Sequence, residues 1–142
     1  MNSRKLNIRT ENWTEEPFSI SRSYEDNFDV VVVELKQDGV KGWGEGSPTE
    51  HYNESVQQTE ALIEDFRKVL ENGISLQELQ QVMPKGAARN AVDCALWDLE
   101  AKLAGKRVWE LPQISKHLSE DGISEPESVT TVYTLSSACK QL

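Results

Sequence analysis

Residues 88–102 read ARNAVDCALWDLEAK, and the reading of this stretch decides the fold. Ala88, Ala91, Val92, Ala95, Leu96, Leu99 and, one turn on, Leu103 recur at helical intervals. That spacing lines apolar side chains along one face of an α-helix. Gly105 ends the run, because glycine accepts the left-handed conformation that closes a helix. Two carboxylates, Asp93 and Asp98, interrupt the pattern. At about 3.6 residues per turn they point to different sides, so they cannot act as a close acid–base pair. An aspartate beside a buried stripe more often serves an ion pair or a backbone group than a reaction. Arg89, one turn before Asp93, is within pairing reach. Cys94 adjoins Ala95 and reads as a small buried apolar side chain. The helix reads as scaffold.

Working outward toward the N-terminus, Val56, Thr59, Leu62, Ile63, Phe66 and Leu70 share a helical face that Asn72-Gly73 closes. Ser75-x-x-Glu78 is a capping-box pattern opening a shorter helix, with Leu76, Leu79 and Val82 inward and Pro84 and Gly86 breaking it. Before Gly46 the period changes to two. Leu6 and Ile8 alternate with polar residues, and Pro17 precedes a second short candidate, residues 18–21. The polar run Arg22 to Asn27 reads as an exposed loop. Val30 to Val33, continuing to Leu35, is a β-branched strand, Asp38-Gly39 a hairpin turn, and Val40 to Glu45 the returning strand. The expectation is a three-stranded antiparallel meander followed by a helical segment, an α+β domain. On the C-terminal side, Trp109 and Leu111 begin a less regular segment. Ser119 to Ser128 reads as a linker and Val129 to Leu135 as a lone strand whose edges lack a neighbour in sequence. The expected division is residues 1–125 as one domain, with residues 126–142 as a linker and the opening strand of a second.

The 142 residues suffice for one domain with a core, and 37 % hydrophobic with 27 % charged residues is ordinary for a globular chain. The formal net charge of −9 argues against nucleic acid and against anionic membrane surfaces. No apolar run approaches the roughly 20 residues of a membrane-spanning helix, and the N-terminus lacks the apolar core of a signal peptide. Cys94 and Cys139 form neither a disulfide framework nor a zinc motif, so a reducing cytoplasm is the expected compartment.

Few residues propose chemistry by themselves. Gly42, Gly44 and Gly46, in GWGEG, lack the spacing and following helix of a phosphate loop, and read as a strand end with close backbone approach. Glu45 reads as solvated or bonded to a loop. His51, in TEHYNE, lies near Glu50 and Glu54, but a zinc site needs three or four converging ligands and the second histidine is the distant His117. No Ser-His-Asp or Cys-His arrangement occurs at any local spacing.

The segments 83–102 (MPKGAARNAVDCALWDLEAK) and 30–49 (VVVVELKQDGVKGWGEGSPT) add a resemblance. They are similar to the helix and hairpin of the enolase superfamily, mandelate racemase/muconate-lactonizing branch, and resemble most its dipeptide (L-Ala-D/L-Glu) epimerase group. The similarity runs from about Leu6 to about Leu135; Arg107 departs from the proline that the family often carries there. The resemblance implies an N-terminal capping domain over residues 1–125, then a stub of the first strand of a TIM barrel, TTVYTL, the rest of the barrel being absent from this sequence. It implies Mg²⁺-assisted proton abstraction next to a carboxylate, with two lysines and three carboxylate metal ligands on later barrel strands. No catalytic residue and no metal ligand is therefore expected in this chain, and no Mg²⁺ is expected to bind it alone. It implies two lid loops, at about 21–27 and 47–55. Arg22 is the candidate for a substrate carboxylate, against the plain reading of a solvated loop arginine. Tyr24, His51 and Tyr52 are candidates for lining the pocket, and Thr134 for facing substrate from the barrel strand.

The leading expectation is the capping domain of a dipeptide epimerase, inactive by itself. The alternatives are a non-catalytic module that self-associates or binds a partner through its barrel-facing surface or tail strand, and a different member of the branch, such as an o-succinylbenzoate synthase.

Overall fold

The computed structural model describes residues 4–20, 23–114, 116 and 130–131, with residues 14–20 and 23–26 as backbone only. Three strands come first, β1 (Lys5–Ile20), β2 (Ser23–Gln37) and β3 (Val40–Gly46), in one antiparallel sheet of order β1-β2-β3. The β2–β3 turn is tight because Asp38 and Gly39 both take positive φ, 51° and 81°, which matches the right-handed twist of the flanking strands. The register aligns Ile8 with Val33 and Val33 with Gly44.

Two features of the sheet depart from the sequence reading. β1 is one strand where the sequence offered two short ones. Its register shifts between Thr14 and Phe18, and Pro17 falls inside that irregularity, where a residue without an N–H costs no ladder bond. The run expected as an exposed loop from Arg22 to Asn27 largely joins β2, with Tyr24 opposite Ser19 and Asn27 opposite Thr14. Ladder hydrogen bonds come from the backbone, so polar residues with no alternation can still pair.

Four helices then cover one face of the sheet: α1 (Val56–Asp65), α2 (Arg67–Glu71), α3 (Leu76–Val82) and α4 (Ala87–Ala104). The single helix expected from Val56 to Leu70 is divided at Phe66, whose N–H turns back to the Ile63 carbonyl at 3.1 Å. The apolar face nevertheless continues across the break. Ser75 and Glu78 form the expected reciprocal cap of α3, at 3.2 and 3.0 Å. Gly73 and Gly105 close their helices with φ of 89° and 62°. The core is Val31, Val33 and Leu35 of β2 against Ile63, Leu70, Leu79, Val92, Leu96 and Leu99, all fully buried.

The opening stretch, as α4, grips β3 along two adjacent ridges. Ala87, Ala91, Ala95 and Leu99, one turn apart, lie against Gly46, Gly44 and Gly42. A Cβ on Gly44 would overlap the Ala91 carbonyl oxygen, and one on Gly42 would stand 2.5 Å from the Leu99 Cβ. Only glycine lets strand and helix backbones meet this closely. The neighbouring ridge is polar. Asn90 donates to the Glu45 carbonyl at 3.0 Å, Asp98 accepts from the Trp43 N–H at 2.8 Å, and Lys102 donates to the Lys41 carbonyl at 3.1 Å. These side chains occupy the outer edge of β3, where open backbone groups would recruit another strand. At the opposite edge, Glu71 accepts from the Leu6 N–H at 3.2 Å and Arg67 donates to the Leu6 carbonyl at 2.9 Å.

Cys94 belongs to the polar ridge and is exposed, not buried as its neighbour Ala95 suggested. Partial desolvation, with the nearby Asp93 and Glu45 charges, raises its thiol pKa. Beyond α4 comes a short turn, Val108–Glu110, after which residues 112–114 and 116 are again helical. The expected linker lies outside the described residues. So does the expected strand, except Thr130 and Thr131, which are exposed and take no regular structure.

Candidate functional site

Because β1 and β3 run the same way, the β1–β2 connection and the segment following β3 emerge at the same end of the sheet. β3 stops opposite Val31, while the β1–β2 ladder continues to the Ile20–Ser23 pair. The hairpin therefore projects past β3 by roughly 25 Å, at about 3.3 Å per residue. Beside its base lies the 47–55 segment, built as a self-bonded turn. Tyr52 and Glu54 donate their N–H groups to the Thr49 carbonyl at 3.0 and 3.1 Å, and Asn53 to that of Glu50 at 2.9 Å. The Thr49 hydroxyl accepts from the His51 N–H at 3.3 Å. Asn53 takes the left-handed conformation, φ 55°, which asparagine tolerates. Ser55 then caps α1 by accepting from the Gln58 N–H at 3.2 Å.

Under this turn is an open groove of about 550 Å³, walled by Thr49, Tyr52, Glu54, Lys85, Gly86 and Asn90 among others. The Glu54 carboxylate reaches the start of α4 and accepts the Ala87 N–H at 2.8 Å. It supplies the cap that Gly86, at the N-cap position, has no side chain to provide.

Of the sequence candidates, His51 and Tyr52 are brought together, their rings edge to face with centroids 4.9 Å apart. Tyr52 lines the groove and is 71 % exposed. The Tyr24 backbone lies in the projecting hairpin at the same end of the sheet; its side chain is outside the description. Arg22 and Thr134 lie outside the described residues. Sequence reasoning missed Glu54, Lys85 and Asn90 as groove residues. Their partners or neighbours lie more than thirty positions away, and no local spacing signals such a contact.

The two aspartates of α4 are scaffold. Asp98 holds the Trp43 N–H and pairs with Lys102. Asp93 accepts from Gln80 at 2.8 Å. Its carboxyl is pushed up by burial, against the opposing pull of the Gln80 bond and the Arg89 charge. The expected direct pairing with Arg89 is replaced: that guanidinium bonds the Gln80 and Met83 carbonyls at 3.4 and 3.3 Å. Among the described residues no group of three His, Cys, Asp or Glu side chains converges as a metal site. Among them, too, no helix is long and apolar enough to cross a membrane. The groove offers a ligand an aromatic and hydrogen-bonding wall beside a lysine.

Residues 3–112 match the family model described as mandelate racemase / muconate lactonizing enzyme, N-terminal domain. The chain is 42 % identical over 119 residues to the L-Ala-D/L-Glu epimerase of Escherichia coli, covering 84 % of this chain and 34 % of the relative. Among solved structures, it is similar to an enolase family member from Agrobacterium tumefaciens with homology to dipeptide epimerases, bound to sodium and L-Ala-L-Glu. The TM-score is 0.72 and the identity 46 %, over 75 % of this chain and 33 % of that one. A dipeptide epimerase from Enterococcus faecalis, complexed with Mg and L-Leu-L-Tyr, follows at TM-score 0.69 and 26 % identity, over 78 % of this chain and 34 % of that one. The chain thus spans about a third of the length of these relatives. With its three-stranded sheet, its helical face and this match, the chain belongs to the mandelate racemase / muconate lactonizing enzyme family, as an enolase-type N-terminal capping domain.

Proposed function

We propose that this chain is the lid and specificity domain of a Mg²⁺-dependent dipeptide epimerase. The reaction is proton removal and return at the carbon next to a carboxylate. The observation that carries this reading is the 42 % identity to the E. coli L-Ala-D/L-Glu epimerase across 119 residues. The placement of the hairpin end and the 47–55 turn at one end of the sheet supports it, since a lid needs its specificity elements side by side. Mg²⁺ takes several oxygen ligands in near-octahedral geometry. The described residues do not fit that requirement, so none is assigned to the metal and no proton transfer is routed through them. Their part is to wall the substrate, orient it and keep water out. Tyr52 and His51 serve from the 47–55 turn, and Tyr24 and Arg22 from the hairpin end. Thr134 is the further candidate for facing substrate.

The test is a chimaera in which this chain replaces the corresponding part of the E. coli relative. The chimaera should epimerise L-Ala-L-Glu when supplied with Mg²⁺, while the 142-residue chain alone should show no turnover. A folded chimaera inactive on every dipeptide tried, or turnover by the isolated chain, would overturn the reading.

A further inference from the structure

Resting on the lid reading above, we infer that Glu54 is a positioning residue that clamps the 47–55 turn onto α4 and so sets where Tyr52 and His51 meet a dipeptide. The turn is internally rigid, held by the Thr49 carbonyl and hydroxyl and by the Glu50 carbonyl. A rigid turn moves as one body unless something outside it fixes its angle. Glu54 is at its end, and its carboxylate accepts the Ala87 N–H at 2.8 Å. That N–H is one of the unpaired donors of a helix start, where the helix dipole also favours negative charge.

Gly86 makes room for the clamp. Its φ of 143° is closed to ordinary side chains, and a Cβ there would overlap the Glu54 carboxylate oxygen. The anchor itself is stiff, since α4 is fastened to β3 along the glycine stripe and by Asn90, Asp98 and Lys102. Thus the glycine seam in the core and the exposed aromatic pair on the rim are mechanically joined through one carboxylate. Glu54 lines the groove too, but its oxygen is committed to the helix, so it acts on substrate through Tyr52 and His51.

The experiment has two arms. In the 142-residue chain, Glu54→Ala should speed amide exchange at Ala87 by about tenfold, the loss of one charge-assisted hydrogen bond. Glu54→Gln, which keeps an acceptor oxygen, should stay near wild type. In the active chimaera, Glu54→Ala and Gly86→Ala should each raise KM for L-Ala-L-Glu about fivefold or more with kcat within about twofold, the pattern of lost substrate binding. Glu54→Gln should restore most of the KM. Unchanged exchange in Glu54→Ala overturns the clamp. Faster exchange with an unchanged KM overturns the positioning role. Equal defects in Glu54→Ala and Glu54→Gln overturn it as well. An inactive wild-type chimaera sinks the lid reading instead, while the exchange arm still decides the clamp.

Discussion

Between β3 and α4 the backbones themselves are in contact, whereas at the end of the same sheet the 47–55 turn meets α4 through the Glu54 carboxylate. The first region has no room for a methyl group at Gly42, Gly44 or Gly46. The second leaves Tyr52 71 % exposed above an open groove. The contrast separates two duties. A seam without spare volume transmits any change in side-chain size directly into strain. A rim held by hydrogen bonds can exchange its side chains at little cost to the fold, which suits a surface whose composition follows the substrate.

The comparison can be broken most sharply at Gly44. Gly44→Ala forces a Cβ into the Ala91 carbonyl and should cost about 3 kcal/mol or more. Gly39→Ala, with open space around it, should cost only about 1 kcal/mol for its positive φ. Urea unfolding of both variants measures this. Equal midpoints would mean that the seam is looser than the glycine stripe requires. A smaller effect is expected at Asp98, on the polar ridge. Asp98→Ala strips the Trp43 N–H of its acceptor and should lose about 1 kcal/mol. Asp98→Asn keeps an acceptor oxygen and should recover most of that; if the asparagine variant is as unstable as the alanine, the Lys102 ion pair matters more than the strand edge. The smallest shift belongs to the rim. Tyr52→Ala should change unfolding stability by no more than about 0.5 kcal/mol, as surface substitutions do. A loss of about 2 kcal/mol in the same measurement would place Tyr52 in the load path of the fold and erase the contrast.

What could be read in advance follows the range of each interaction. The α3 cap was legible because Ser75 and Glu78 are partners within one turn. The ends of the helices at Gly73 and Gly105 were legible because a left-handed cap is a property of one residue. The glycines of GWGEG announced close approach without naming what approaches. Cys94 was misjudged because periodicity gives the angle of a side chain around the helix, not which flank a strand edge leaves open. The break at Phe66 escaped because the apolar stripe runs through it unchanged. The pairing of residues 23–27 with β1 escaped because backbone ladders leave no mark in polar side chains.

The site was less legible than the fold. His51 and Tyr52 are adjacent in sequence and were each named from it as candidates, but the groove beside Tyr52 needs Lys85, Gly86 and Asn90 from a different part of the chain.

By itself, the sequence determined most of the elements: two periods of apolar residues, local caps, turn chemistry and a family likeness strong enough to name the domain. Only the tertiary structure decided that the glycines of β3 lie on the alanines of α4, that Asp98 guards a strand edge, and that Glu54 binds a helix start far along the chain. The reason is physical. Periodicity and capping are set by neighbours within about one helical turn, while the partner of a distant carboxylate is fixed only once packing has brought the backbones together.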